Sequence, residues 1–377
     1  MRRVPGQSRP DWQKTVESQG MFYHTADGVP YWDESVHYQF TSQEIDAIEA
    51  ATYTLDALCL DAVQYAIDHD FLDRFLIPPR YHDLIRRSWE EDEHTIYGRM
   101  DLAMDEGRVP KLLEYNADTP TALLEAAVIQ WYWLKDCFPG SCQFNSIHER
   151  LLEIFTELRG QGNQRFYFAA VAGCMEDYMT VNYLRDIAIQ AGFATVYLDV
   201  EKVGWHARRR VFTDLSENAI EVCFKLYPWE WMFGEAFGPH LLETGCRWFE
   251  PPWKALLSNK AILPLLWELN PRHPNLLETS FEPLPGGNYV KKPILGREGA
   301  NIQIFDCGKL VLETPGPYDG QAVCQETCHL PCFDDRYFAL IGSWLVNGWA
   351  CGIGIREDES LITGNLSRFV PHVYCRS

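Results

Sequence analysis

Nowhere do two cysteines stand as Cys-x-x-Cys, although the chain carries 12 of them in 377 residues. A chain of this length does not need disulfides to hold its core, so the scattered thiols read as reduced and the compartment as cytoplasmic. The nearest grouping, Cys324, Cys328, His329 and Cys332, fits no common zinc or iron–sulfur spacing. Positive charge is scarce: 33 Lys and Arg face 53 Asp and Glu, a formal net charge of -20. Attraction to a phosphate backbone would need a local patch working against the global field, so no nucleic-acid partner is expected. An acidic body draws in cations such as polyamines or Mg²⁺, or simply serves solubility. Long apolar runs are missing too. The longest, near FYFAAVAGCM at 166–175, is far too short to cross a bilayer, and no apolar stretch follows Arg2 and Arg3 as a targeting signal would require. No membrane partner is therefore expected. Absent finally are a Gly-x-Ser-x-Gly elbow, a P-loop and any Cys-His or Ser-His-Asp pattern, which removes hydrolysis by an activated nucleophile.

What is present is a large core. Hydrophobic residues make up 46% of the chain and aromatics 14%, with 13 Trp. That composition gives a compact body of one large α/β unit or of two or three modules, and no repeat or linker marks a boundary. HTADGVPYW reads as a hairpin turning at Asp27-Gly28. Thr41-x-x-Glu44 is a capping box for a long helix with Ile45, Ile48, Leu55, Leu58 and Val63 on or near one face. Strands are expected at Tyr97 to Met104 and Pro110 to Asn116, joined by the turn DEGR, and then a helix with Pro120 near its first turn. A βαβ rhythm follows: RFYFAAVA, a helix ending at Gly192, ATVYLDV, and a further strand fed by Asp214 to Phe224. Near the C-terminus a hairpin turns at Asn347-Gly348, a strong type I′ signal.

Three groups of residues carry chemistry. Alternation along a strand puts Arg99 and Asp101 on one face, and Glu114 and Asn116 on one face of the neighbouring strand. Two carboxylates and an amide oxygen suit Mg²⁺, and an Arg beside them can neutralise charge on a transferred phosphoryl group. The bland alternative is a solvated sheet face with a surface ion pair. In YVKKPILGREGANI, Lys292 ends a strand and Gly296 and Gly299 loosen the turn that holds Arg297, as a lid over a nucleotide would need. In GIGIREDESLIT, Arg356 stands near the end of a strand, where a charged turn is an equally simple reading.

Taken in order, RMD…KLLEYNADTPT, SNKAILPLLWE, VKKPILGREGANI and GSWLVNGWACGIGIRED closely resemble the glutathionylspermidine synthase family, from about Asp11 to the last residues. The resemblance implies an α/β (α+β) fold of ATP-grasp type with a mobile lid, here at 258–335, and an inserted βαβ substrate subdomain at 160–250. One catalytic domain, 1–377, is expected, with no amidase domain ahead of it. The resemblance makes Asp101, Glu114 and Asn116 magnesium ligands. It sets Arg99 against the transferred phosphoryl group and Arg356 beside the nucleotide phosphates. Lys260 and Lys292 become nucleotide contacts, with Gly296 and Gly299 in the loop that closes Arg297 over the reacting carboxylate. Thr119 and Thr121 fall where the family places its peptide substrate, and Glu176 and Asp177 near an acidic substrate patch. The implied reaction uses ATP and Mg²⁺ to join a peptide carboxylate, glutathione or a relative, to spermidine or a similar amine through an acyl phosphate. The alternative is a catalytically silent nucleotide-binding regulator, and the sequence leaves a homodimer open.

Overall fold

The computed structural model of the chain describes residues 1–26, 28–104, 108–162 and 164–375. Thr41 opens the longest helix, Ser42–Asp68: its hydroxyl accepts from the Glu44 N–H, and the Glu44 carboxylate accepts from the Thr41 N–H. Ile45, Ile48, Leu55 and Val63 are buried, with Leu58 partly so. This helix lies against an antiparallel six-stranded sheet, and a buried hydrogen bond between Thr52 and Ser343 (2.7 Å) ties the two together.

That sheet is the floor of the site. Its main path runs Arg368–Val370, Trp349–Asp358, Tyr337–Val346, Tyr97–Met104, Pro110–Asn116, with Cys332–Phe333 on the side of the third. The hairpin Tyr337–Val346 and Trp349–Asp358 turns at Asn347 and Gly348 with φ of 47° and 76°, as a type I′ turn requires. The hairpin at Thr25–Ala26 and Val29–Pro30 also pairs as expected. Asp27, and Asp105, Glu106 and Gly107 of the DEGR turn, lie outside the described residues.

Beside the floor stands a parallel four-stranded sheet in the order Arg247–Phe249, Val222–Leu226, Phe166–Ala170, Thr195–Asp199. The βαβ rhythm is realised through the helix Met175–Gln190, after which Gly192 takes a left-handed φ of 92°. The strand FYFAA is buried at every position, the pattern of a parallel sheet covered on both faces. A third, antiparallel sheet runs Thr279–Ser280, Ala322–Glu326, Tyr289–Pro293, Gln303–Asp306, Lys309–Glu313 and forms the roof.

One expectation needs correction. Pro120 does not sit in a first helical turn. Helical hydrogen bonding begins at Leu123, passes through a wide turn at Glu125–Ile129 and continues as Gln130–Cys137. Residues 117–122 remain a loop because the carbonyls of Pro120 and Thr121 are taken by the Tyr97 hydroxyl (3.0 Å) and Arg99 (2.8 Å). In SNKAILPLLWELNPRHPNLL the α-helix covers only Ile262–Leu269, and Lys260 stands in the turns ahead of it. Among the described residues no helix is long and apolar enough to cross a membrane.

Candidate active site

The strand Tyr97–Met104 pairs with Pro110–Asn116 so that Arg99 faces Asn116 and Asp101 faces Glu114. All four polar side chains meet as alternation predicts. Arg99 holds both oxygens of Asp101, Nε to Oδ1 at 2.6 Å and Nη2 to Oδ2 at 3.0 Å. Across the strand, Gly342 pairs with Asp101. A Cβ at Gly342 would stand 2.8 Å from Arg99 Cδ, so the bare glycine is what lets the arginine lie along the sheet. The start of the Arg99 strand is fixed by Glu250, which accepts from the N–H groups of Ile96 and Tyr97, and by Lys254, which donates to the Tyr97 carbonyl.

The amide nitrogen of Asn116 sits between the two carboxylates, 3.1 Å from Asp101 Oδ2 and 3.2 Å from Glu114 Oε1. A partial positive charge thus occupies the space they share, and hard oxygen donors around such a space suit a divalent cation such as Mg²⁺. Among the described residues no group of three or more His, Cys, Asp or Glu is placed to hold a metal. The Cys324 to Cys332 segment therefore forms no such site.

The pairing slips by one residue between Asp101 and Leu102, leaving Leu113 as the bulged residue. Its freed carbonyl accepts from Lys292 (3.1 Å), and Gln325 Oε1 takes another Lys292 proton at 2.7 Å. Lys260 reaches Glu114 Oε2 at 2.9 Å and the Gly296 carbonyl at 2.7 Å. Both lysines are buried, and burial pushes Lys292 down to about 8 even though Glu114 acts the other way. Burial alone would raise Glu114, but Lys260 and Lys292 override it and bring it to about 2. Asp101 goes the opposite way: burial, with Glu114 beside it, pushes it up against the pull of Arg99.

A cavity of about 790 Å³ lies between floor and roof. Arg99, Asp101, Glu114, Asn116, Thr119, Thr121, Lys260, Lys292, Gly296, Arg297, Gly299, Arg356 and Asp177 all line it, whereas Glu176 does not. Thirteen of the fourteen site residues expected from sequence thus share one space. A family model described as "Glutathionylspermidine synthase preATP-grasp" matches residues 3–374. The chain belongs to that family.

This member of the glutathionylspermidine synthase family is 41% identical over 393 residues to a Haemophilus influenzae protein that carries the name acid–amine ligase, covering 99% of this chain and 100% of that one. It is 28% identical over 398 residues to the bifunctional glutathionylspermidine synthetase/amidase of Escherichia coli, covering 97% of this chain and 64% of that protein. With the trypanothione synthetase of Crithidia fasciculata it shares 29% identity over 344 residues, 80% of this chain and 51% of the other. The chain therefore spans less than two thirds of the two longer relatives. A solved structure, a glutathione synthetase-like effector from Globodera pallida in its apo form, matches with a TM-score of 0.60 at 9% identity over 97% of this chain and 95% of that one. The mixed α/β fold is that of glutathione synthetase-like proteins.

Within this family member the glycine loop is docked, not open. Gly299 has φ 71°, and a Cβ there would stand 2.5 Å from the Thr363 carbonyl, so only glycine lets the two backbones approach. Its own carbonyl accepts from Thr314 at 2.5 Å. Arg297 bonds Thr119 Oγ1 (2.8 Å) and Glu230 Oε1 (2.6 Å). Arg356 is held by the carbonyls of Ser367, Gly364 and Asn365 and lies over the ring of Tyr31. Asp177, in the first turn of Met175–Gln190, is pushed up to about 6 by burial and by Glu176. Glu125, fully buried behind this end, is pushed up to about 7 for the same two reasons. The sequence reading missed Gln325 and Glu125, which no local motif marks.

Proposed function

We propose that the chain is an ATP- and magnesium-dependent carboxylate–amine ligase that joins glutathione or a related peptide to spermidine or a similar polyamine. One observation carries the reading: a single cavity sets two carboxylates and an amide against two buried lysines, with Arg99, Arg297 and Arg356 around it. A site built for hydrolysis by a nucleophile has no use for that set. The names of the relatives support ligation, and the intact set of charged groups speaks against a silent nucleotide-binding homologue.

Asp101, Glu114 and the Asn116 amide would hold the magnesium, which when bound neutralises phosphate charge and orients the reacting oxygens. Lys260 and Lys292 bind the nucleotide phosphates of the co-substrate under the roof, which serves as a lid at 258–335. Arg99 meets the phosphoryl group as a carboxylate oxygen of the acid attacks the γ-phosphorus and ADP leaves, while Arg297 holds the acid and Arg356 flanks the phosphates. The amine nitrogen then attacks the acyl carbon, phosphate departs and the amine proton is released. Thr119 and Thr121 line the acid's end, the parallel subdomain at 160–250 closes it, and Asp177 binds a distal ammonium of the amine. A cytoplasmic location fits a chain long enough to hold its core without disulfides.

The test is ADP release measured against a matrix of small peptides and polyamines, with the product mass identified. Release should require magnesium, acid and amine together, and Glu114→Gln should abolish it while the melting transition persists. Release that is indifferent to every acid and amine would overturn the reading.

A further inference from the structure

We propose that Glu230 is a positioning residue for the acid substrate, fixing the Arg297 guanidinium from behind so that its remaining N–H groups meet the carboxylate to be activated. The proposal rests on the ligase reading and names a part of the site that neither the family pattern nor the sequence reading assigned.

The argument begins in KLYPWEW, residues 225–231. Lys225, at the end of the strand Val222–Leu226, is buried and turned into the body, where its ammonium meets Asp118 Oδ1 at 2.6 Å. The other oxygen of Asp118 accepts from the Trp229 N–H at 3.0 Å. Trp229 is the first residue of the short helix Trp229–Gly234, so the fully buried Asp118 pins the start of that helix to the loop that follows the metal-facing strand. Glu230 is the next residue along. Its place relative to Thr119 is thus set by the neighbouring pair, Trp229 against Asp118, and not by a flexible surface.

From that mount Glu230 takes one face of Arg297. Nε and Nη2 both go to Glu230 Oε1, at 3.2 and 2.6 Å, and Nη1 goes to Thr119 Oγ1 at 2.8 Å. A guanidinium has five N–H donors, and these three bonds leave two. Arg297 lines the cavity and Glu230 does not, while Trp231 lines it and lies 5.7 Å from the Arg297 Cζ. The ion pair therefore backs the arginine without entering the space a substrate would use. A fixed planar fork recognises a carboxylate through two parallel hydrogen bonds, and fixing it beforehand removes the entropy loss otherwise met on binding. The loop itself cannot supply that fixing. Its tethers hold other atoms: the Gly296 carbonyl accepts from Lys260, the Gly299 carbonyl from Thr314 and the Asn301 side-chain oxygen from the Tyr318 N–H, and none of these bonds is to the guanidinium.

Kinetics and amide exchange on the full chain test this together. In Glu230→Gln the acid KM should rise about tenfold and in Glu230→Ala further, with the ATP KM within twofold of wild type; Glu230→Asp should restore part of the loss. A purely structural role would move both KM values and the melting temperature together, and would overturn the proposal. So would an acid KM that falls in Glu230→Gln, since Glu230 would then be a competitor of the substrate. Hydrogen exchange over residues 294–302 needs no turnover: it should quicken in Glu230→Ala with no ligand present, and unchanged exchange would refute the pairing. Wild-type protein that releases no ADP with any acid and amine would instead remove the ligase reading, leaving the exchange result to judge the contact alone.

Discussion

Floor and roof of the cavity hold their charges in different ways. On the floor, Asp101 is gripped within its own strand by Arg99, Asn116 bridges to Glu114 from the same hairpin, and Glu250 with Lys254 secures the strand's start. In the roof, Lys292 depends on Gln325 from a neighbouring strand and on the Leu113 carbonyl across the cavity, and Lys260 depends on Glu114. The inner floor strands are buried along most of their length, whereas Lys309–Glu313 at the roof's edge leaves Leu310 and Val311 half exposed. A floor organised by its own residues is ready before ligand arrives. On the proposed reading, Lys260 would exchange its contact with Glu114, and Lys292 its contact with the Leu113 carbonyl, for phosphate when nucleotide enters. Substitutions in the floor should therefore lower turnover, and substitutions in the roof should raise the nucleotide KM.

The largest effect is expected at the heart of the floor. Asp101→Asn removes one of the two carboxylates proposed to hold magnesium and the partner of Arg99 together, and kcat for ADP release should fall about 10³-fold with the ATP KM little changed. A change confined to KM would break the comparison. Lys292→Met is the roof counterpart: the ATP KM should rise about 10²-fold while kcat falls less, read from initial rates at saturating acid and amine. Gly342→Ala sharpens the floor's side of the contrast. The added methyl meets Arg99 at Cδ, well inside a side chain whose tip is pinned by Asp101 and Thr121, so kcat should drop about tenfold or more through misplacement of Arg99.

Two further outcomes depend on pH. Glu125 is raised to about 7 by burial and by Glu176, so the stability it contributes is complete below its unfolded value near 4.5 and is lost as pH climbs to about 7. Glu125→Gln should escape that loss. Its thermal stability should match wild type near pH 4.5 and exceed it by up to about 3 kcal/mol above pH 7. The smallest effect belongs to Asp177, raised to about 6 by burial and Glu176: the amine KM should climb severalfold as pH falls from 7 to 5, and Asp177→Asn should flatten that dependence.

Much of this was legible in the residues because its signals are local. The strands Tyr97–Met104 and Pro110–Asn116, the Thr41 capping box and the Asn347-Gly348 turn are each decided by neighbours within a few positions. What could not be read depends on distant partners. The bulge at Leu113 exists where Lys292 and Asn275 claim the backbone, and Pro120 stays outside the helix because Tyr97 and Arg99 hold the carbonyls around it. Of the two lysines near the end of the strand Tyr289–Pro293, Lys291 is exposed but Lys292 is buried, since Gln325 and a carbonyl satisfy it. The order of the parallel strands and the counterion behind Arg297 leave no periodic trace at all.

The Asp118–Lys225 pair also limits how this chain can change over time. Because both groups are buried, losing either one strands its partner's charge in the interior, at about 3–5 kcal/mol, whereas replacing both with apolar groups of like size is far milder. Positions 118 and 225, more than a hundred residues apart, can thus drift only as a couple, and a lone substitution at either would meet its penalty in folding before chemistry is ever tried.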